Sequence, residues 1–251
     1  MYRNLTIYIL ILLTVVVSCK KHGKEGISDN DKNDYELYDY YIDQYGNEGI
    51  VAAQVDYQGE ESFYKYTLVL SLDETVATWG PMGVTVFPVN DYFNEDYPYG
   101  PFFGLEMNRK VESKGSEGFP AFDWCHKKNH GEEYLHSSSW LLPTDNELYK
   151  IFRDGEAIDE LNQHITEYGG TPIPTEIKRS NCYWSCVEDT ENVLVFDDDV
   201  QANCDFDPAR RAIAPTTDGR YYTDKTLWHK NNEYRVRAIK YIYFACSPAN
   251  Q

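Results

Sequence analysis

The sequence predicts an α+β domain. Segments with strand periodicity stand at both ends of the globular part, at 50–57, 64–72 and 234–244. Helix signals gather between them, the sharpest being a capping box at Thr144-Asp145-Asn146-Glu147. Strand patterns and helix signals in one chain indicate the α+β class.

Residues 1–18 lie ahead of that domain. One basic residue, Arg3, precedes an apolar run over 5–17 that is too short to span a bilayer as a helix. The run ends in Val16-Val17-Ser18-Cys19, which has the form of a lipobox: branched residues, a small residue at the cleavage point, then cysteine. The reading is a lipoprotein signal peptide over 1–18, with Cys19 lipidated as the mature N-terminus and held by more than one acyl chain. An ordinary signal peptide that happens to contain cysteine is the alternative. Residues 19–48 read as a flexible acidic tether. Within them Ser28-Asp29-Asn30-Asp31 resembles the acidic tract that sends some lipoproteins to the cell surface, and 34–46 reads as irregular. The domain is expected over 49–251, at the outer membrane or cell surface.

Ile50, Val51, Ala52, Ala53 and Val55 make 50–57 a strand. In 64–72, Tyr66, Leu68, Leu70 and Leu72 alternate with Thr67, Val69 and Ser71. A β-prone run over 75–79 stops at Gly80-Pro81. Residues 89–104 read as a long loop crowded with Tyr92, Phe93, Tyr97, Tyr99, Phe102 and Phe103 and broken by Pro98, Gly100 and Pro101. Pro120 marks a helix start, with Ala121, Trp124, Cys125 and Lys128 on one face and a stop at 129–131. The capping box starts a second helix, whose apolar face is Leu148, Ile151 and Phe152. Ile158, Leu161, Ile165 and Tyr168 define a third over 156–168, ended by Gly169-Gly170. Residues 182–186 and 192–196 are strand-like, 197–212 is loop, and 234–244 is a long final strand.

Composition narrows the partners. Lys and Arg number 23 against 41 Asp and Glu, a formal charge of −18. Such a chain repels phosphate backbones, which excludes nucleic acid, and repels anionic lipid, so the acyl anchor must hold it to the membrane. The 22 tyrosines suit an exterior binding surface, because each offers area and a hydrogen bond at low entropy cost. Beyond Cys19 come Cys125, Cys182, Cys186, Cys204 and Cys246, an odd set in a disulfide-permitting compartment, so at least one is free or paired in trans.

Several pieces in this order carry a resemblance. They are Gly49-Ile50-Val51 leading to Leu68-Val69-Leu70-Ser71-Leu72-Asp73; Ala121-Phe122-Asp123-Trp124-Cys125; Trp140-Leu141-Leu142-Pro143-Thr144-Asp145-Asn146-Glu147-Leu148; and Tyr183-Trp184-Ser185-Cys186 followed by Val193-Leu194-Val195-Phe196 and Val236-Arg237-Ala238-Ile239. Together they resemble the bacterial C-type-lectin-like domains of the collagen-like adhesin C-terminal (Lcl C) family, which read W-R-L-P-T-x-x-E-L, then Y-W-S-S, then V-R-C-V-R. Here Leu141, Cys186 and Ala238 replace the family's Arg, second Ser and late Cys. The resemblance implies an α+β, C-type-lectin-like fold, a twisted antiparallel sheet with two or three flanking helices and long loops, and a disulfide between the first helix and the last strand, Cys125–Cys246. It leaves Cys186–Cys204 or Cys182–Cys204 for a second bridge. Read without it, Trp140 and Trp184 are core aromatics, Thr144 and Glu147 a helix cap, and Ser185 lacks the partners of a nucleophile.

Three groups of residues invite chemistry. Cys125, His126, His130 and His136 have zinc-like spacing, but His130 falls at a helix stop, and solvent-facing histidines are the better reading. Asp197, Asp198 and Asp199 with Asp205 and Asp207 are weak calcium candidates, though a solvated acidic loop explains them and no lectin-type calcium triplet is present. No cofactor is otherwise expected. Tyr92, Phe93, Tyr97, Tyr99 and Phe102 are the ligand-binding candidates, against the alternative that these rings plug the loop onto the core. The expectation is a non-enzymatic adhesion module that recognises a glycan or a surface protein through 89–104 and the facing acidic loop 188–207. The alternatives are an enzyme of the formylglycine-generating oxidase kind, using Cys182 and Cys186, and a structural subunit of a surface appendage or complex.

Overall fold

A computed structural model of the chain describes residues 35–58, 62–86, 101–131, 134–136, 138–152, 155–176, 179–188, 211–213 and 227–248. The main sheet is antiparallel throughout. β1 (Tyr40–Ile42) pairs with β2 (Glu48–Gln58), β2 with β3 (Ser62–Ser71), and β3 with the final strand, β8 (Ile239–Pro248). Alternation along β3 decides which way each residue faces. Tyr66, Leu68 and Leu70 join Ile50, Ala53 and Tyr241 in one apolar cluster, while Val69 joins Val51 in another. Both faces of the sheet are therefore covered, which is why 68–72 is almost continuously apolar. A bulge carries the pattern across β2: the register passes from Val51↔Val69 to Ala53↔Leu68. The extra residue, Ala52, lets Val51 and Ala53 face opposite clusters although they are two apart.

Helices cover each face. On the first, Trp79, Trp140 and Trp184 pack with Met107 and Val111 of α1 (Pro101–Glu112) and with Ala121, Phe122 and Cys125 of α2 (Pro120–Lys127). On the second, Leu148, Ile151 and Phe152 of α3 (Asp145–Phe152) pack with Ile158, Leu161 and Ile165 of α4 (Gly155–Glu167). Two small antiparallel ribbons complete the described structure. They are β4 (Thr75–Thr78) with β7 (Glu233–Val236), and β5 (Arg211–Ile213) with β6 (Leu227–His229). The α+β class expected from the sequence is the one observed, with four α-helices among the described residues where two or three were expected. Among the described residues no helix is long and apolar enough to cross a membrane.

The predicted helix signals act as expected. Glu147 N–H donates to Thr144 Oγ1 at 3.2 Å, and Thr144 N–H donates to Glu147 Oε2 at 2.7 Å, which closes the capping box at the start of α3. Gly169 ends α4 at φ +77°, a conformation that favours glycine. Gly170 must also be small: a Cβ there would lie 2.8 Å from the Leu72 carbonyl oxygen.

Three elements differ from expectation. The ordered unit begins ahead of residue 49: Tyr35 and Tyr41 are core residues and β1 is part of the sheet, so the latter part of the expected tether belongs to the fold. Residues 101–104, expected as loop, open α1. Asn108 anchors that helix, donating to the Gly104 and Leu142 carbonyls at 2.8 and 2.9 Å while accepting Leu142 N–H at 3.0 Å. Finally, the long last strand is broken at Arg237-Ala238. Ser71 holds the break, its N–H donating to the Ala238 carbonyl and its hydroxyl accepting Ala238 N–H. β7 can then turn away to pair with β4.

Thr144→Ala removes the acceptor of the cap and is expected to lower the unfolding free energy by about 1 kcal/mol. Urea denaturation followed by circular dichroism measures it; a loss near zero would mean that the cap does not hold α3.

Candidate functional site

Three distant segments meet at one buried ion pair. Glu188 and Lys230 have fully buried side chains in direct contact. The Glu188 carboxylate also accepts Val86 N–H at 3.1 Å, and Lys230 Nζ donates to the Val84 carbonyl at 2.9 Å. Lys230 Nζ lies 4.4 Å from the centre of the Trp79 ring. The Trp79 indole N–H donates to the Ser185 carbonyl at 2.9 Å, and Trp79 N–H to the Lys230 carbonyl at 2.9 Å. A charge this deep is tolerable only when paired and hydrogen-bonded, and here both members are. The segments 84–86, 185–188 and 230 are thereby tied at a single point.

Two of these segments run on in sequence into the predicted binding loops. The aromatic segment continues from Val86 and the acidic one from Glu188. Tyr92, Phe93, Tyr97 and Tyr99 lie outside the described residues, as do Asp197, Asp198, Asp199 and Asp205, and Cys19 and Cys204. Phe102 stands in the first turn of α1, and its side chain is outside the described set. Glu188, expected as the first residue of the ligand-contacting acidic loop, is instead buried, at the start of that segment.

The histidines do not converge. His126 Nε2 sits 3.1 Å from Asn108 Oδ1, the His130 ring stacks on Tyr45 with centroids 4.6 Å apart, and His136 Nδ1 lies 2.9 Å from Ser138 Oγ. Burial lowers the His126 pKa to about 4, so its ring is neutral at pH 7. Among the described residues no three His, Cys, Asp or Glu side chains gather as a metal site.

The expected Cys125–Cys246 bridge is corrected. Cys125 is a buried free thiol, packed in the same cluster as Ala238. Ala238 stands where the resembled family carries its late cysteine. Cys246 is paired in register with Tyr64, eight residues further along, which is roughly 25 Å of extended chain. A disulfide tolerates a Cα separation of only about 7 Å. Cys186 is also a buried free thiol, so a bridge from it to Cys204 is not formed. Burial raises both the Cys125 and the Cys186 thiols, the direction opposite to that of a nucleophilic thiolate.

Two polar groupings escaped the sequence reading. The first centres on Glu147, whose carboxylate takes the Tyr241 hydroxyl in addition to the Thr144 cap. Burial outweighs those hydrogen bonds and the nearby Lys150, and raises its pKa to about 7. The second joins Glu74 to Arg235, Arg237 and the Tyr183 hydroxyl. Glu147 was legible only as a cap, and Arg237 only as part of a motif. Neither the fully buried surroundings of Glu147 nor the three-way sharing of Glu74 has a local sequence signal.

No family profile, no curated protein and no solved structure matches the chain.

Lys230→Met would leave Glu188 charged and alone, and is expected to cost ~3–5 kcal/mol of stability. Lys230→Met with Glu188→Leu should recover a large part of that loss in denaturant titrations; a double variant no better than the sum of the singles would show that the two charges are not coupled.

The Glu147 shift fixes a pH dependence. Its pKa rises on folding from an ordinary 4.5 to about 7, so the folded state binds the extra proton. Its favourable contribution is complete below pH 4.5 and is lost as pH rises to about 7. Glu147→Gln cannot titrate. The stability of the native protein relative to Glu147→Gln is therefore expected to fall across that window, by about 3 kcal/mol at most. A difference that is flat with pH, measured by urea titration at each value, would contradict it.

Proposed function

We propose that this chain is a lipid-anchored binding module of the cell surface, C-type-lectin-like in fold, which recognises a glycan or a protein ligand through the segments 89–100 and 189–207. The observation that carries this reading is the common root of the two segments. One continues from Val86 and the other from Glu188, and the Val86 N–H donates to the Glu188 carboxylate at 3.1 Å. Lys230 closes the same root from a third stretch of chain. Loops that rise from a rigid base present binding residues at low entropy cost, and these two concentrate rings and carboxylates. The antiparallel sheet with helices on both faces, and the W-x-L-P-T-x-x-E-L and Y-W-S motifs, support the lectin-like assignment. The lipobox ending at Cys19 supports the anchor. The enzyme alternative asks for a reactive thiol, and the raised Cys186 pKa speaks against one there.

The test is a glycan array, run with and without calcium, together with pull-down of surface proteins, comparing the native chain with Tyr97→Ala/Tyr99→Ala. The double substitution is expected to remove more than about 2 kcal/mol of binding while leaving the melting temperature unchanged. Intact binding with a collapsed melting temperature would mean that these rings are core plugs, and the proposed surface would be wrong.

A further inference from the structure

The Glu188–Lys230 pair balances its charges; the Glu74 cluster does not. Arg235 Nη1 and Arg237 Nη2 both bind the Glu74 carboxylate, the latter at 2.9 Å, and the Tyr183 hydroxyl donates to it at 2.6 Å. Arg237 Nη2 also donates to the Thr171 carbonyl. Two guanidinium groups thus share one carboxylate, and one positive charge is left over. The charges acting on the Tyr183 hydroxyl are those of Arg237, Glu74 and Arg235, and among the described residues the ion pairs of Arg235 and Arg237 are both to Glu74. Among the described residues three buried N–H groups of the cluster find no acceptor: Arg235 Nε, Arg237 Nε and Arg237 Nη1. The Arg237 side chain is fully buried and Glu74 is 7% exposed, whereas Arg235 is 26% exposed and opens the cluster to solvent.

From this geometry we propose that Arg235, Arg237, Glu74 and Tyr183 form a binding site for a small free carboxylate, distinct from the loop-borne surface. Water would occupy the orphaned N–H groups but would leave the surplus charge uncompensated in a buried place. An anion meets both needs. Oxygen acceptors suit guanidinium N–H donors, and the cluster's own acid, Glu74, already shows that a carboxylate fits between these two arginines. The orphaned donors are themselves buried, and Arg235 is the exposed member, so the site admits only a compact ion that enters as the Arg235 side chain moves aside.

Saturation-transfer NMR on the full chain tests the proposal, with sodium acetate as the probe and acetamide as its neutral isostere. Transfer to the acetate methyl and none to acetamide is the expected result. Arg235→Gln, at the exposed edge, should weaken acetate binding by about tenfold, the value of a charge-assisted hydrogen bond. Formate, a smaller carboxylate, should displace acetate from the native chain. No transfer to acetate, or equal transfer to acetamide, would overturn the site without reference to any variant. Undiminished acetate binding in a folded Arg235→Gln would overturn it as well, by locating the carboxylate elsewhere. Loss of glycan or protein binding at the loops would leave all these outcomes unaffected, so the two readings fail separately.

Discussion

The fold depends on burying three tryptophans without stranding their indole N–H groups. Trp79, Trp140 and Trp184 sit in one cluster, and each donates to a different segment of chain. Trp79 reaches the Ser185 carbonyl, Trp184 the Ala77 carbonyl, and Trp140 the Asp43 carboxylate at 2.8 Å. An unsatisfied buried donor costs about 1–3 kcal/mol, so these bonds act as specificity constraints as much as sources of stability. Trp79 and Trp184 lock β4 and the 182–186 stretch to one another in both directions. Trp140 brings in the β1–β2 turn. There Asp43 also takes Asn47 Nδ2 and the N–H groups of Tyr45 and Asn47. Burial alone would raise the Asp43 carboxyl, but these bonds outweigh it and hold it below its ordinary value. Asn129 then binds Trp140 through both its main-chain groups, and Asn47 binds the Lys128 carbonyl, so the end of α2 is fixed to the same turn.

Charge enters this core in two contrasting ways. Glu188 and Lys230 form a closed account in which each group has a partner of opposite sign and backbone contacts besides. Such a pair adds little net stability over apolar residues of the same shape, but it penalises any arrangement in which 84–86, 188 and 230 are apart. It is therefore a device for register, fixing three stretches of chain to one another. Glu74 and Arg237 are buried and Arg235 is partly exposed, and here one acid faces two bases. The same electrostatics that make the first pair self-sufficient make the second cluster incomplete.

How much of this was legible in the sequence follows from the range of each interaction. Thr144 and Glu147 are three residues apart, and their cap was readable because the whole interaction is local. The alternation of Tyr66, Leu68 and Leu70 was readable because a strand's faces are set by its own period. α1 was missed because its anchor is tertiary: Asn108 binds Leu142, while the aromatic and glycine-rich approach to it looks like loop. β1 was missed because three residues carry no period, and its place comes from pairing with Ile50, Gly49 and Glu48. The break in the last strand comes from Ser71, more than a hundred and sixty residues away. The roots of the loops were invisible for the same reason. Glu188 and Lys230 are 42 residues apart and look like ordinary surface charges until the fold brings them together.

The distribution of basic residues bears on what the proposed module could recognise. The chain carries a large acidic excess, and several of its cations are already committed. Lys230 and Arg237 are buried, Lys128 is clasped by both oxygens of Asp73 at 2.7 Å, and Lys150 donates to the Tyr66 hydroxyl. A cation held in a pair presents little field to an approaching ligand, whereas unpaired surface carboxylates act at the full Debye range of about 8 Å. Each such pair removes one acid together with one base, so the acidic excess of the whole chain remains. A sulfated or phosphorylated polymer would meet repulsion across the whole face. A neutral glycan would be indifferent to that field and would bind through ring stacking, and a basic protein patch would be drawn to it and gain in association rate. The acidic excess therefore favours uncharged sugars or basic partners for the proposed module, while among the described residues the place where bases outnumber their acid is the cluster of Arg235, Arg237 and Glu74.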